Sequence, residues 1–308
     1  MKTLIFIICF FMSLFAVAKN EDDLPKLNSF IDEALESNSV NKHIVAGLIS
    51  KSYDLSYKNE QLYKKALKLD PSNILLLEQL VQHCHNEDGE SFCNQEKYLK
   101  KLQGLDSNNG LPFLLASLYY SKKGNSSKAL KLLKIGASKN NFDAYNWKNF
   151  ELTRKELSRT KFPQDEVLVV AVKNAQVGDF ATNVLAEAMN LCVDKSKENN
   201  SWKNTCIDYG ELMEIHSNMM LSTFVGFAIQ REIYKNQEQD SVYLEKVLHR
   251  RDVFHQFRLR VVESLSWASM LGFENEVPNI FWKELLHYGE RVAYQKALDR
   301  SSAKGNDN

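Results

Sequence analysis

The sequence lacks the short motifs that announce a reaction. There is no HExxH, no GxSxG, no phosphate-cradling GxxxxGK and no CxxCH. A zinc hydrolase, an elbow serine, a nucleotide phosphate site and covalent haem therefore have no local signature here. An excess of charge of one sign is also missing, because 39 basic residues balance 39 acidic ones. A near-neutral chain has no overall field to draw nucleic acid or an anionic membrane. Beyond Ala18 no long apolar run remains, so stable membrane insertion of the rest is not expected.

What is present begins at the N-terminus. Met1 to Ala18 carries Lys2, an apolar run from Leu4, and small residues at Ala16 and Ala18 before Lys19. A basic start, a short apolar core and small residues at the cut predict a signal peptide cleaved after Ala18 and a periplasmic or secreted product. A membrane anchor needs about 20 apolar residues, and charge returns too soon, at Lys19 to Asp23. Cys9 lies behind Ile7 and Ile8, without the small residues of a lipoprotein signal, and leaves with the signal peptide. Removing Lys2 leaves 38 basic against 39 acidic residues, one net negative charge.

Of five cysteines, four remain after cleavage: Cys84, Cys93, Cys192 and Cys206. In an oxidising compartment an even set in two close pairs predicts two disulfides, and proximity favours Cys84–Cys93 and Cys192–Cys206 over the other two pairings. Each closes a short loop and stabilises by about 2–3 kcal/mol.

Apolar residues then recur at three- and four-residue spacing along nearly the whole chain, which predicts an all-α fold of roughly 13 to 16 helices. The first is entered through Asp22, Asp23 and Pro25, and two more span about Val40 to Ser52 and Ser56 to Leu69, where Asp70-Pro71 stops the last. VLVVAV at Val167 to Val172 could be a buried strand, but helical patterns on both sides favour a buried helix face. Later helices are expected at Asp143 to Thr160, Asp165 to Gln176, Phe180 to Cys192, Asn204 to His216, Ser222 to Lys235, Asp240 to His255, Phe257 to Leu271 and Val277 to Asp299. Ser301 to Asn308 is expected to be a disordered tail.

One pattern recurs at roughly 34 to 36 residues. YKKALKLDPSN (Tyr63 to Asn73) is echoed by YLKKLQGLDSNN (Tyr98 to Asn109). Gly47, Tyr63, Ala66 and Pro71 fall at the small, aromatic, alanine and proline positions of one two-helix unit. In a third unit Pro112 opens a helix, Gly124-Asn125 makes the turn as C-cap and N-cap, and Ala129 takes the small crossing position. Val40 to Phe142 thus resembles tetratricopeptide repeats. It departs from them at CHNEDGESFC (Cys84 to Cys93), a longer loop than the pattern allows, and at Ser107, where the proline is expected.

The resemblance implies a continuous solenoid of stacked helix pairs. It divides the chain into a signal peptide (1–18), N-terminal repeats (19–142), divergent C-terminal repeats (143–300) and the tail. It also implies binding of a protein or peptide on the concave face of the first helices, with His43, Leu77 and Phe113 among the contributors. Exported repeat proteins of Gram-negative bacteria look similar.

Other readings attach to particular residues. His83 and His85 beside Cys84 and Cys93 have metal-ligand character, but they lack paired CxxC and HxxxH spacing, and a disulfide consumes the thiols first. No cofactor is expected. Trp202, in the polar stretch Asp194 to Asn204, either meets a partner or packs on the second disulfide. His249, Arg250, Arg251, His255, Arg258 and Arg260 form a basic stretch interleaved with Leu248, Val253, Phe254, Phe257 and Leu259, read as a solvated face over a buried one rather than a nucleic-acid site. Glu263-Ser264 resembles the catalytic Glu-Ser of lytic transglycosylases, but LSWASMLGF follows in place of their glycine-rich motif. The expectation is a non-catalytic scaffold, with a cell-wall or hydrolytic enzyme and a periplasmic metal-binding protein as alternatives.

Overall fold

Capping residues set the helix boundaries. Ser39, Asn94, Asn125 and Asn199 each accept a hydrogen bond from the backbone N–H three residues on, at 3.1 to 3.3 Å, satisfying a donor that the first turn leaves open. Gly124 has φ +74°, the left-handed geometry that ends a helix without a Cβ penalty. The computed structural model describes residues 24–53, 55, 58–86, 93–175, 179–235, 240–264 and 278–305. The expected signal peptide, the centre of the Cys84–Cys93 loop, LSWASMLGF and residues 306–308 lie outside the described residues.

Among the described residues there are fifteen helices and no strand, so the protein is all-α. α1 (Leu24–Glu36) packs on α2 (Val40–Ser52). α2 pairs with α3 (Asn59–Leu69), α4 (Ile74–Asn86) with α5 (Gln95–Leu105), and α6 (Leu111–Lys122) with α7 (Ser126–Ala137). α8 (Asn146–Leu157) pairs with α9 (Gln164–Ala175). α10 (Asp179–Lys195) and α11 (Asn200–His216) both pack on α12 (Met220–Lys235), which α13 (Ser241–Ser264) covers in turn. α14 (Pro278–Tyr288) and α15 (Glu290–Gly305) close the chain as a pair.

Long-range packing turns the chain back on itself. α8 and α9 pack against α2, α10 against α6, and α11 against α7. Val167 and Val170 of α9 are buried with Phe30, Ile31, Val45 and Ile49 of the first two helices. VLVVAV is therefore the buried helix face that its flanks predict. The connectors are stapled together at one end: Gly110 N–H donates to Asn141 O (2.8 Å), Phe142 N–H to His216 O (3.0 Å) and Glu290 N–H to Asn218 O (3.0 Å). Asn109, fully buried, accepts from Leu111 and Asp143 N–H and donates to the Asp106 carboxylate and Asp143 O.

Several boundaries differ from expectation. Asp240 to Leu271 does not divide near Gln256; α13 runs unbroken from Ser241 to Ser264, with no glycine or proline inside it. Val277 to Asp299 does divide, at Gly289 (φ +79°), where a Cβ would meet Asn218 Cα at 2.8 Å. α11 starts at Asn200, so the polar loop after Cys192 shrinks to the few residues between α10 and α11. Where a tail was expected, α15 continues through Gly305, because Ser301 to Lys304 contains no residue that stops a helix.

Candidate functional site

The first helices of the three N-terminal pairs, α2, α4 and α6, face α8, α9 and α10. The polar side chains of this contact form a buried chamber. Gln79, Gln82, Asn149 and Asn174, with Leu48, Leu111, Val184 and Leu185, enclose a cavity of about 20 Å³, the room of one water. Glu78 lies under it, 1% exposed. Its carboxyl accepts from the amides of Gln79 (2.9 Å), Gln82 and Asn149. Lys51 Nζ donates to Gln82 Oε1 (2.9 Å), and the Ser52 hydroxyl lies 2.7 Å from Asn174 Oδ1.

Burial pushes the Glu78 carboxyl up to about 8, against the opposing pull of Lys51 and the amide donors. Gln79 Oε1 and Asn149 Oδ1 are buried and have no hydrogen-bond partner among the described residues. One water held between them would satisfy both. The chamber can order a single small hydrogen-bonding group; it has no room for a peptide.

The expected concave-face residues are buried, but they do not line the chamber. His43 and Leu77 are fully buried and Phe113 is 8% exposed. His43 Nδ1 sits 2.7 Å from Ser39 O, and burial holds its imidazole below the usual range. Two helices of the face that the resemblance assigns to a partner, α2 and α6, are packed by α8, α9 and α10, while the Phe113 ring lies under Lys139 Nζ at 4.7 Å.

Both cysteine pairs are at bonding distance, Cys84–Cys93 with Cα atoms 5.3 Å apart and Cys192–Cys206 with Cα atoms 5.4 Å apart. Cys84, Cys192 and Cys206 sit within helices, and Trp202 (2% exposed) shares the core cluster of both bridges. The side chains of His83 and His85 diverge. The His83 ring meets Tyr63 edge-on at 5.5 Å, while His85 Nε2 approaches Glu187 at 3.2 Å and Lys122 Nζ at 2.8 Å. No group of three or more His, Cys, Asp or Glu arranged to hold a metal occurs among the described residues.

The basic stretch on α13 is partly drawn inward. Phe254 and Phe257 are buried as expected, but so is Arg258, at 8% exposure, with its guanidinium 5.4 Å from the Phe224 ring. Arg250 reaches Glu214 through two bonds of 2.7 and 3.0 Å, and Gln230 bonds to both. His249 and Arg260 stay exposed. Glu263 is also exposed, and the segment after Ser264 lies outside the described residues.

The sequence reading missed the surface of the C-terminal pair. Lys283, Glu284, Leu286, His287, Tyr288 and Lys296 line an open hollow of about 660 Å³ on α14 and α15. Apolar residues on both sides of Gly289 are its signal in the sequence, obscured when Val277 to Asp299 is taken as one helix. Comparison with protein-family models, with curated proteins and with solved structures finds no match for this chain. No helix among the described residues is long and apolar enough to cross a membrane.

Proposed function

We propose that the protein is an exported, non-catalytic, tetratricopeptide-like scaffold that binds a protein or peptide partner on its outer C-terminal surface. The observation that carries this reading is the distribution of exposed apolar side chains. Seven of the ten large ones among the described residues, including Val253, Ile280, Leu286 and Tyr288, lie on α13, α14 and α15. Exposed apolar side chains concentrated on one part of the chain are what a partner covers. The filled first-helix face supports the same location, since a partner there would have to displace core side chains.

Two features favour stacked repeats: Gly47 lies under Tyr63, and the Gly124-Asn125 turn joins α6 to α7. Two disulfides fit an oxidising compartment, and with the N-terminal sequence they favour export. The test is affinity capture from the native compartment with the native chain and with Leu286→Ser/Tyr288→Ala. A partner held by the native chain and lost by the variant supports the reading; equal capture by both overturns the location.

A further inference from the structure

The balanced total charge hides a segregation. Each of the second helices α3, α5 and α7 carries three lysines, against two acids in all, Glu60 and Glu96, and no arginine. The acids are neutralised in place: Glu60 pairs with Lys64, and Glu96 lies 3.1 Å from Lys100 Nζ and 3.8 Å from Lys128 Nζ. Lys68, Lys97, Lys131 and Lys134 are exposed and make no ion pair among the described residues. The three helices adjoin. Lys101 Nζ donates to Pro71 O (3.2 Å) just past α3, and Glu96 of α5 accepts from Tyr120 OH (2.7 Å) on α6, beside Lys128 of α7. Leu69 and Leu105, the last residues of α3 and α5, are 45% and 47% exposed on the same helices.

We propose that the outer faces of α3, α5 and α7 form one lysine surface that docks on an anionic lipid bilayer. Charge complementarity identifies the occupant. The cations are spread over the width of three helices rather than gathered in a groove, so they match a diffuse sheet of headgroups better than a single acidic chain. Lysine is a hydrated point charge suited to such a field, whereas a site built for one carboxylate or phosphate favours the guanidinium fork. The two leucines add shallow apolar contact at the level of the headgroups. This surface is separate from α13–α15, so the two readings stand or fall independently.

The test is vesicle co-sedimentation of the protein, purified as the cell processes it, with phosphatidylcholine vesicles and with phosphatidylcholine–phosphatidylglycerol vesicles. Binding is expected on the mixed vesicles at low salt, with release as salt rises. Each neutralised lysine should lower the partition about fivefold, so K68Q/K97Q/K131Q/K134Q should lose at least about a hundredfold while keeping its helical circular dichroism. L69S/L105S should weaken binding without removing its salt dependence. Absence of binding to the mixed vesicles overturns the proposal, as does equal binding to pure phosphatidylcholine. Undiminished binding by the lysine variant also overturns it. Soluble polyphosphate or an acidic peptide bound as tightly as the vesicles, with no contribution from the leucines, would replace the bilayer by a free polyanion.

Discussion

Gly226 of α12 lies so close to Gly210 of α11 that a Cβ on Gly226 would fall 2.5 Å from the Gly210 carbonyl oxygen. The obstacle is backbone, which cannot swing away. Gly226→Ala should therefore push α11 and α12 apart and cost about 3 kcal/mol or more. Gly47 has a comparable neighbour, Tyr63 Cε1 at 2.7 Å, but a ring can tilt, so Gly47→Ala should cost about 1–2 kcal/mol. Urea unfolding of the two variants gives the order directly.

Removing Cys192–Cys206 by a double change to serine should destabilise by about 3 kcal/mol, and removing Cys84–Cys93 by a similar amount, on loop-closure grounds. The sequence separations are 14 and 9 residues. Cys192 and Cys206 are both nearly inaccessible, so serine hydroxyls there add a desolvation cost. Thermal melts of the two double variants, without reductant, should show the Cys192/Cys206 variant melting lower.

The Glu78 carboxyl titrates near 4.5 when unfolded and near 8 when folded. Between those values the folded chain holds a proton that the unfolded chain has released, so stability falls as pH rises. The contribution is complete below about pH 4.5 and gone above about pH 8. Glu290, which accepts a 2.6 Å bond from Met220 N–H, is raised to about 7 by burial and adds the same sign between about 4.5 and 7. Glu78→Gln should flatten the upper part of the stability–pH curve; an unchanged slope between pH 7 and 8 would remove Glu78 as its source.

Arg250→Ala leaves Glu214, 9% exposed, without its cation. An uncompensated buried carboxylate costs about 2 kcal/mol. Glu214→Gln should lose less, because Gln230 can still bond to the amide that replaces the carboxylate. A double-mutant cycle on the pair should give a coupling of about 1–2 kcal/mol.

Local chemistry made much of this legible. The bounds of α2, the Gly124-Asn125 turn, the buried face of VLVVAV and both cysteine pairings follow from capping, periodicity and proximity, which act over a few residues. What stayed hidden was long-range. Nothing in the sequence of α2 or α6 shows that α8, α9 and α10 return to pack on them, and nothing around Arg250 or Arg258 points to Glu214 or Phe224. Charge segregation was likewise invisible in a total of zero, because it depends on which helix of each pair faces outward.

The partner site is located by photo-crosslinking in the native compartment, with a reactive residue placed in turn at Tyr288, Ile280 or Val253 and at His43, Leu77 or Phe113. Adducts to one partner are expected from the first three positions and none from the second three. Adducts from His43, Leu77 or Phe113, with none from α13–α15, would contradict this location and return the partner to the first-helix face.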